Sequence, residues 1–324
     1  MHNGLPYKTK QFFFVLIKLS IVVGAFYFIY NKVANNSALS FSDFIEFSLK
    51  NNVFSLKNIV FLLILTFFNW FFEITKWKML VSFIKKITFK NAQKQSLGSL
   101  TVSIFTPNRI GEYGAKAMYF PAHFRKRILL VNLISNFLQM SVTTILGVIG
   151  FYFFIIKYDP DLNYYKLTKF IVLALVAAIL IGFGITKSRF KIKGFSVEKI
   201  KFFIAEYPKS KLVSAFLFSI IRYAIFSFQF YFLLQIFKVE LSYFDAIIII
   251  TTMYLLASII PSIFIFDVVI KGSIAVYLFS FAGVNEFIIL CIITTMWILN
   301  FVIPSIFGSY YVLNYKLPKT EVLP

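Results

Sequence analysis

Residues 96–120 read SLGSLTVSIFTPNRIGEYGAKAMYF, apolar at both ends and interrupted by Thr106-Pro107-Asn108-Arg109 ahead of Glu112 and Lys116. No helix passes that interruption unbroken. Pro107 lacks an amide donor and pushes its predecessor out of the helical region, and Gly111 and Gly114 weaken any helix beyond it. The stretch predicts two half-helices that meet at a polar turn. A related pattern returns between residues 247 and 281, where IIIITTMYLLASII stops at Pro261 and resumes through Asp267, Lys271 and Gly272. In both copies an acidic residue comes after the proline and a lysine stands four residues on, so Glu112 and Lys116, like Asp267 and Lys271, share one helix face. Two broken hydrophobic segments at corresponding places in two halves of a chain are the sequence pattern of a transporter binding site.

Composition sets the solvent. Of 324 residues 59% are hydrophobic and only 14% charged, and the mean hydropathy is +0.81. A soluble domain of this length could not hide so much apolar surface, whereas apolar runs of about 20 residues suit helices crossing a bilayer. The runs are continuous and lack strict alternation, which excludes a barrel. The expected fold is therefore all-α: one polytopic integral membrane domain over residues 1–324, in a first half 1–169 and a second half 170–324. About six full spans are expected, near residues 12–30, 59–80, 128–156, 170–186, 212–237 and 287–313. The broken segments 96–120 and 247–281 fall between them.

The net charge of +20 lies in short loops beside apolar runs, so it reads as topology and not as a nucleic-acid surface. Lysines from Lys76 to Lys94, the Arg125-Lys126-Arg127 block, the lysine-rich stretch 187–211 and the tail Lys316 and Lys319 then share the cytoplasmic side with both termini. Each arm of 96–120 is too short to cross the bilayer, so that segment is expected to be a re-entrant hairpin from the cytoplasm, and 247–281 its counterpart from outside. The two would form an inverted repeat with tips near the midplane. A full span kinked at Pro107 is the alternative, and it would place the next basic block outside. Residues 31–57 and 187–211 suit amphipathic helices lying at the interface.

Polar residues inside the apolar runs mark the candidate site. Arg222 stands about ten residues into its span and needs a partner, for which Asp267 and Glu112 are the candidates. Asn132, Asn136, Gln139 and Thr143 follow one helix face, to be expected toward the bundle as cavity lining or as helix-to-helix contacts. Asn69, Glu73 and Lys76 share a face as well, and Glu73 with Lys76 reads as an ion pair closing a span at the interface. Cys291 is the single cysteine, so no internal disulfide forms, and His2 and His123 make no metal constellation. Neither a metal nor a cofactor is expected.

The stretch Thr106-Pro107-Asn108-Arg109-Ile110-Gly111-Glu112-Tyr113, with Asn69-Trp70, Glu73 and Lys76-Trp77 upstream, resembles the integral membrane region of bacterial lysylphosphatidylglycerol synthases and its stand-alone, flippase-like relatives. The resemblance extends over nearly the whole chain. Relatives carry a glycine-rich Pro-x-x-Gly-Gly-x-Gly-x-x-Glu signal in the second half, where this chain has Pro261-Ser262-Ile263-Phe264-Ile265-Phe266-Asp267. Full-length synthases continue into a soluble aminoacyl-transferase domain, and this chain stops at Pro324, so the resemblance implies the translocating half without the synthetic half.

The resulting expectation is a transporter of the bacterial inner membrane, not an enzyme, that moves a phospholipid or other lipid-linked anionic substrate. Asn108, Arg109, Lys116, Arg222 and Lys271 would receive the anionic headgroup, and Glu112 and Asp267 would balance charge or take an amine. The partners are then membrane lipids, and possible companions are envelope-biosynthesis enzymes. The alternatives are an intramembrane enzyme acting on lipid-linked substrates and a scaffold for such enzymes. No zinc-protease, aspartate-rich metal or nucleophile–histidine motif supports the first.

Overall fold

A computed structural model describes residues 23, 45–46, 49–50, 55–104, 106, 109–160, 197–259 and 264–316, with side chains left out at 197 and 264–270. The expected spans at 12–30, apart from Val23, and 170–186 lie outside the described residues, as do the tip residues Pro107, Asn108 and Pro261 and most of the loop 31–57.

Every described element is helical. Helix α1 (Leu56–Val81) starts where the Ser55 side chain accepts a bond from the Asn58 amide. Its inward stripe holds Leu62, Thr66, Asn69, Glu73, Lys76, Trp77 and Leu80, while Phe67, Phe68 and Phe71 face outward. Polar residues inside and phenylalanines outside are what a helix shows when its solvent is lipid. Helices α4 (Ala122–Tyr158) and α6 (Lys209–Ile236) are likewise long and apolar enough to cross a membrane, and so is the continuous run formed by α9 (Glu286–Trp297), a π-helical turn (Ile298–Val302) and α10 (Ile303–Leu313). At ~1.5 Å per residue, α4 is about 55 Å long, well beyond a ~30 Å hydrocarbon core.

Between the spans lie two broken pairs. Helix α2 (Phe89–Ser103) and α3 (Ile110–Met118) fold back on each other, so that the Tyr119 hydroxyl donates to the Lys94 carbonyl at 3.2 Å. Helices α7 (Tyr243–Ile259) and α8 (Phe264–Ser280) make the second pair. It begins beside the C-terminal end of α4, where Asp245 pairs with Lys157, and returns there, with Phe281 edge-on to Phe154 at 5.5 Å. The first pair is anchored at the other end of α4, where the Lys116 ammonium donates to Asn132 at 2.9 Å and Asn136 donates to the Tyr113 hydroxyl at 3.0 Å. The two pairs thus approach the middle of α4 from opposite ends.

Small residues set the spacing. A Cβ on Gly150 of α4 would fall 1.9 Å from Thr251 Oγ1 of α7, and one on Gly308 of α10 would fall 2.2 Å from the Leu97 carbonyl of α2. Backbones this close gain dispersion contact that larger side chains would prevent. Two apolar cores result. One gathers Trp77, Phe120, Ile128, Phe203 and Tyr207 at the end that carries Lys85, Lys86 and Arg125; the other gathers Phe154, Phe230, Phe279, Ile292 and Trp297 at the opposite end. The stretch 187–211 contributes helix α5 (Val197–Glu206), followed by Tyr207, whose hydroxyl donates to the Leu80 carbonyl at 2.5 Å. Burial pushes that phenol above its ordinary pKa, which keeps it a donor.

Candidate functional site

The turn between α2 and α3 is built by one hydroxyl. Thr106 Oγ1 donates to the Ser103 carbonyl at 2.9 Å and accepts from the Gly111 amide at 2.8 Å, satisfying one of the free donors that open α3. A Cβ on Gly111 would come within 2.9 Å of the Thr106 side chain, so glycine is required for this closure. Arg109, just before α3, adopts the left-handed conformation at φ 57°, which is strained for a residue with a Cβ. From there its guanidinium reaches Glu112 at 3.0 Å with 37% of the side chain exposed, and Glu112 also holds Lys116 at 2.7 Å. Lys116 is 1% exposed and lies 4.2 Å above the Trp77 ring, whose Nε1 donates to Gln95 at 2.8 Å.

A second charged group crosses three helices. Arg222 of α6 bonds Glu73 of α1 at 2.5 Å and Gln139 of α4 at 2.8 Å through Nη1, while its Nε donates to Asn69. Lys76 completes the set at 2.9 Å from Glu73. Glu73 is therefore a partner of Arg222, and Glu112 is bonded to Arg109 and Lys116 instead, while the side chain of Asp267 lies outside the described residues. The expected Glu73–Lys76 pair does form, but it is buried and not at an exposed helix end, because α5 and Tyr207 cover that end of α1. A buried cation requires compensation at close range, and Glu73 on the inward face of α1 supplies it.

The third group was not legible from the motifs. Asn300 sits in the π-helical turn of the last span, and Pro304 four residues on has no amide to bond the Asn300 carbonyl. That carbonyl accepts from Trp70 Nε1 at 3.2 Å instead. The Asn300 side chain accepts from Asn69 at 2.9 Å and donates to Gln229 at 2.8 Å, and Gln229 continues to Thr66 at 2.9 Å. One amide thus ties α1, α6 and the last span together. Its sequence signal is slight: a lone Asn in an apolar run, four residues before a proline.

These groups border a cavity of about 570 Å³. Of the residues singled out from sequence, Asn69, Glu73, Lys76, Arg109, Glu112, Asn136, Gln139, Thr143, Arg222 and Lys271 line it. Lys116 and Asn132 are buried behind Glu112, bonded to each other, so Asn132 is a support for the wall and not part of it. Asn108 lies outside the described residues; Asp267 is on α8, but its side chain is not described. Lys271 stands 5.7 Å from the Phe301 ring. Tyr223, Phe226 and Tyr254, which no motif singled out, line it as well. Among the described charged residues of the lining, Lys76, Arg109, Arg222 and Lys271 outnumber Glu73 and Glu112, which leaves the cavity attractive to an anion. No cluster among the described residues could hold a metal ion.

A family model described as lysylphosphatidylglycerol synthase TM region matches residues 15–308. No match is found among curated proteins or among solved structures.

Proposed function

The chain belongs to the lysylphosphatidylglycerol synthase TM region family, and from that premise we propose that it translocates a phospholipid or another lipid-linked anionic molecule across the bacterial inner membrane without catalysing a covalent step. Membership makes it an integral membrane protein of lipid metabolism or transport. The observation that carries the finer reading is the cavity: a cationic chamber in the middle of a bundle of spanning helices, with the broken pairs α2–α3 and α7–α8 reaching it from opposite ends.

In this reading the pairs are re-entrant hairpins of an inverted repeat, and the end rich in lysine and arginine faces the cytoplasm together with both termini. The start of α3 presents the positive end of its dipole beside Arg109, which favours a headgroup phosphate there. Rocking of one half against the other then opens the chamber to each leaflet in turn.

The test is translocation of labelled phospholipids in proteoliposomes, with Arg109→Ala and Glu112→Ala compared against the natural chain. The expected outcome is movement well above protein-free vesicles, reduced at least about tenfold in both variants, the scale of one lost charged hydrogen bond. Movement no faster than in protein-free vesicles, across several headgroups and under an imposed ion gradient, would refute the proposal.

A further inference from the structure

How the helices are joined says which parts of the bundle move as one. Each broken pair is gripped by the long span of the other sequence half. Thr101 of α2 donates to the Ser305 carbonyl of α10 at 3.0 Å, beside the close approach of Gly308 to Leu97. On α4, a Cβ on Gly147 would fall 2.5 Å from Leu255 of α7, one turn from the contact of Gly150 with Thr251. Each pair also meets the span of its own half. Lys116 of α3 bonds Asn132 of α4, and a Cβ on Gly272 of α8 would stand 3.3 Å from Leu290 of α9. Both pairs, α4 and the last span thus close into one ring. Among the described residues, every glycine whose added Cβ would meet another helix lies in it, so the closest backbone approaches are internal to the ring.

Helices α1 and α6 form a second body. They run antiparallel and are zipped together from Phe61 against Phe232 at 4.6 Å to Phe72 against Phe218 at 5.9 Å. Along the same seam Gln229 donates to Thr66 and Arg222 to Glu73. Across the boundary between this pair and the ring the mid-span contacts are of another kind, single polar bonds. Gln139 of α4 accepts from Arg222, and Asn300 of the last span bonds Asn69, Trp70 and Gln229. The cavity lies along this boundary, with Asn69, Glu73 and Arg222 contributed by the pair and Glu112, Asn136 and Lys271 by the ring. Polar bonds beside a cavity exchange for bonds to water or to a polar ligand at small net cost, whereas parting a close-packed seam forfeits dispersion contact along its length.

Resting on the lipid-translocation reading, we propose that the chamber opens by rocking of the α1–α6 pair against the ring. Each body draws on 1–169 and 170–324 alike, so the halves that part are halves of the bundle and not of the sequence. Gln139 and Asn300 are the latches. Each reaches the pair from the middle of one long ring helix, and each releases its bonds as the bodies tilt, while the glycine seams stay closed.

The experiment is pulsed dipolar electron spin resonance on the full chain in phospholipid nanodiscs, in a Cys291→Ser background, with spin labels on pairs of exposed positions outside the chamber. At the end away from the basic residues, Tyr152 of α4 is paired with Leu56 of α1, which crosses bodies inside one sequence half. It is paired also with Glu286 of α9, which crosses halves inside the ring. At the basic end, Phe307 of α10 is paired in the same two ways, with Val213 of α6 and with Lys126 of α4. The Leu56 and Val213 distances are expected to divide into two populations several ångströms apart, and the Glu286 and Lys126 distances to stay single. Gln139→Leu cuts one latch and leaves Arg222 on Glu73; it is expected to shift the ratio of the two populations about tenfold, the scale of one hydrogen bond to a charged group. An unmoved ratio overturns the latch. Two populations within the ring, or single distances at all four pairs, overturn the two-body assignment whatever the translocation assay gives. Rocking of the two bodies in a protein that moves no lipid removes the lipid reading alone.

Discussion

Arg222 shows how a single residue is fixed by its surroundings. Its depth in an apolar span announces a partner, yet its bonds go to Glu73, 149 residues away, and to Gln139, 83 residues away. Both contacts depend on how α1 and α4 are rotated against α6, which no local spacing records. The need for a carboxylate was legible in the residue, and its identity was not. Breaking such a pair from one side leaves a buried charge uncompensated, at a cost of ~3–5 kcal/mol, whereas removing both partners is far milder. Arg222→Ala and Glu73→Ala are each expected to lower unfolding stability in detergent by that amount, and the double variant by clearly less than their sum. Additive losses in the double-mutant cycle would show that the two side chains act independently.

At the scale of elements, the breaks were legible because they are local chemistry: a proline, a hydroxyl that caps, and glycines where backbones approach. The α2–α3 turn arises from Thr106 and Gly111, whereas the π-helical turn ahead of Pro304 falls inside what reads as one unbroken span. Less legible was which glycine matters for packing. Gly150 meets Thr251 across a helix contact, while a Cβ on Gly114 would have nothing within 4 Å. Gly150→Val should therefore lower stability by about 1–3 kcal/mol through overpacking of α4 on α7. Gly114→Ala should leave it unchanged or raise it by up to ~1 kcal/mol through helix propensity. Thermal unfolding of the two variants separates the cases, and equal behaviour would contradict the α4–α7 contact.

Across the whole molecule, the charge asymmetry and the opposed helical pairs make a topological statement. Lys86 lies at the basic end beside the first pair, and Ser242 caps the start of the second pair at the other end. With Cys291, which is fully buried, replaced by serine, Lys86→Cys should react with a membrane-impermeant maleimide only from the cytoplasmic side and Ser242→Cys only from the outer side. Labelling of both from the same side would mean that one pair is instead a kinked span.

Hydropathy by itself determined that this chain is helical and belongs in a membrane, where its described spans run and where they break, because lipid demands continuous apolar helices and proline ends them. The family resemblance was also carried by short local motifs. Only the tertiary structure decided that Glu73 answers Arg222, that Asn132 supports the cavity from behind, and that Asn300, Tyr223 and Tyr254 belong to the site. A helix face is set by spacing of three or four residues, but the neighbour that face meets depends on rotation, tilt and depth, and residues as far apart as Asn69 and Asn300 meet through those alone.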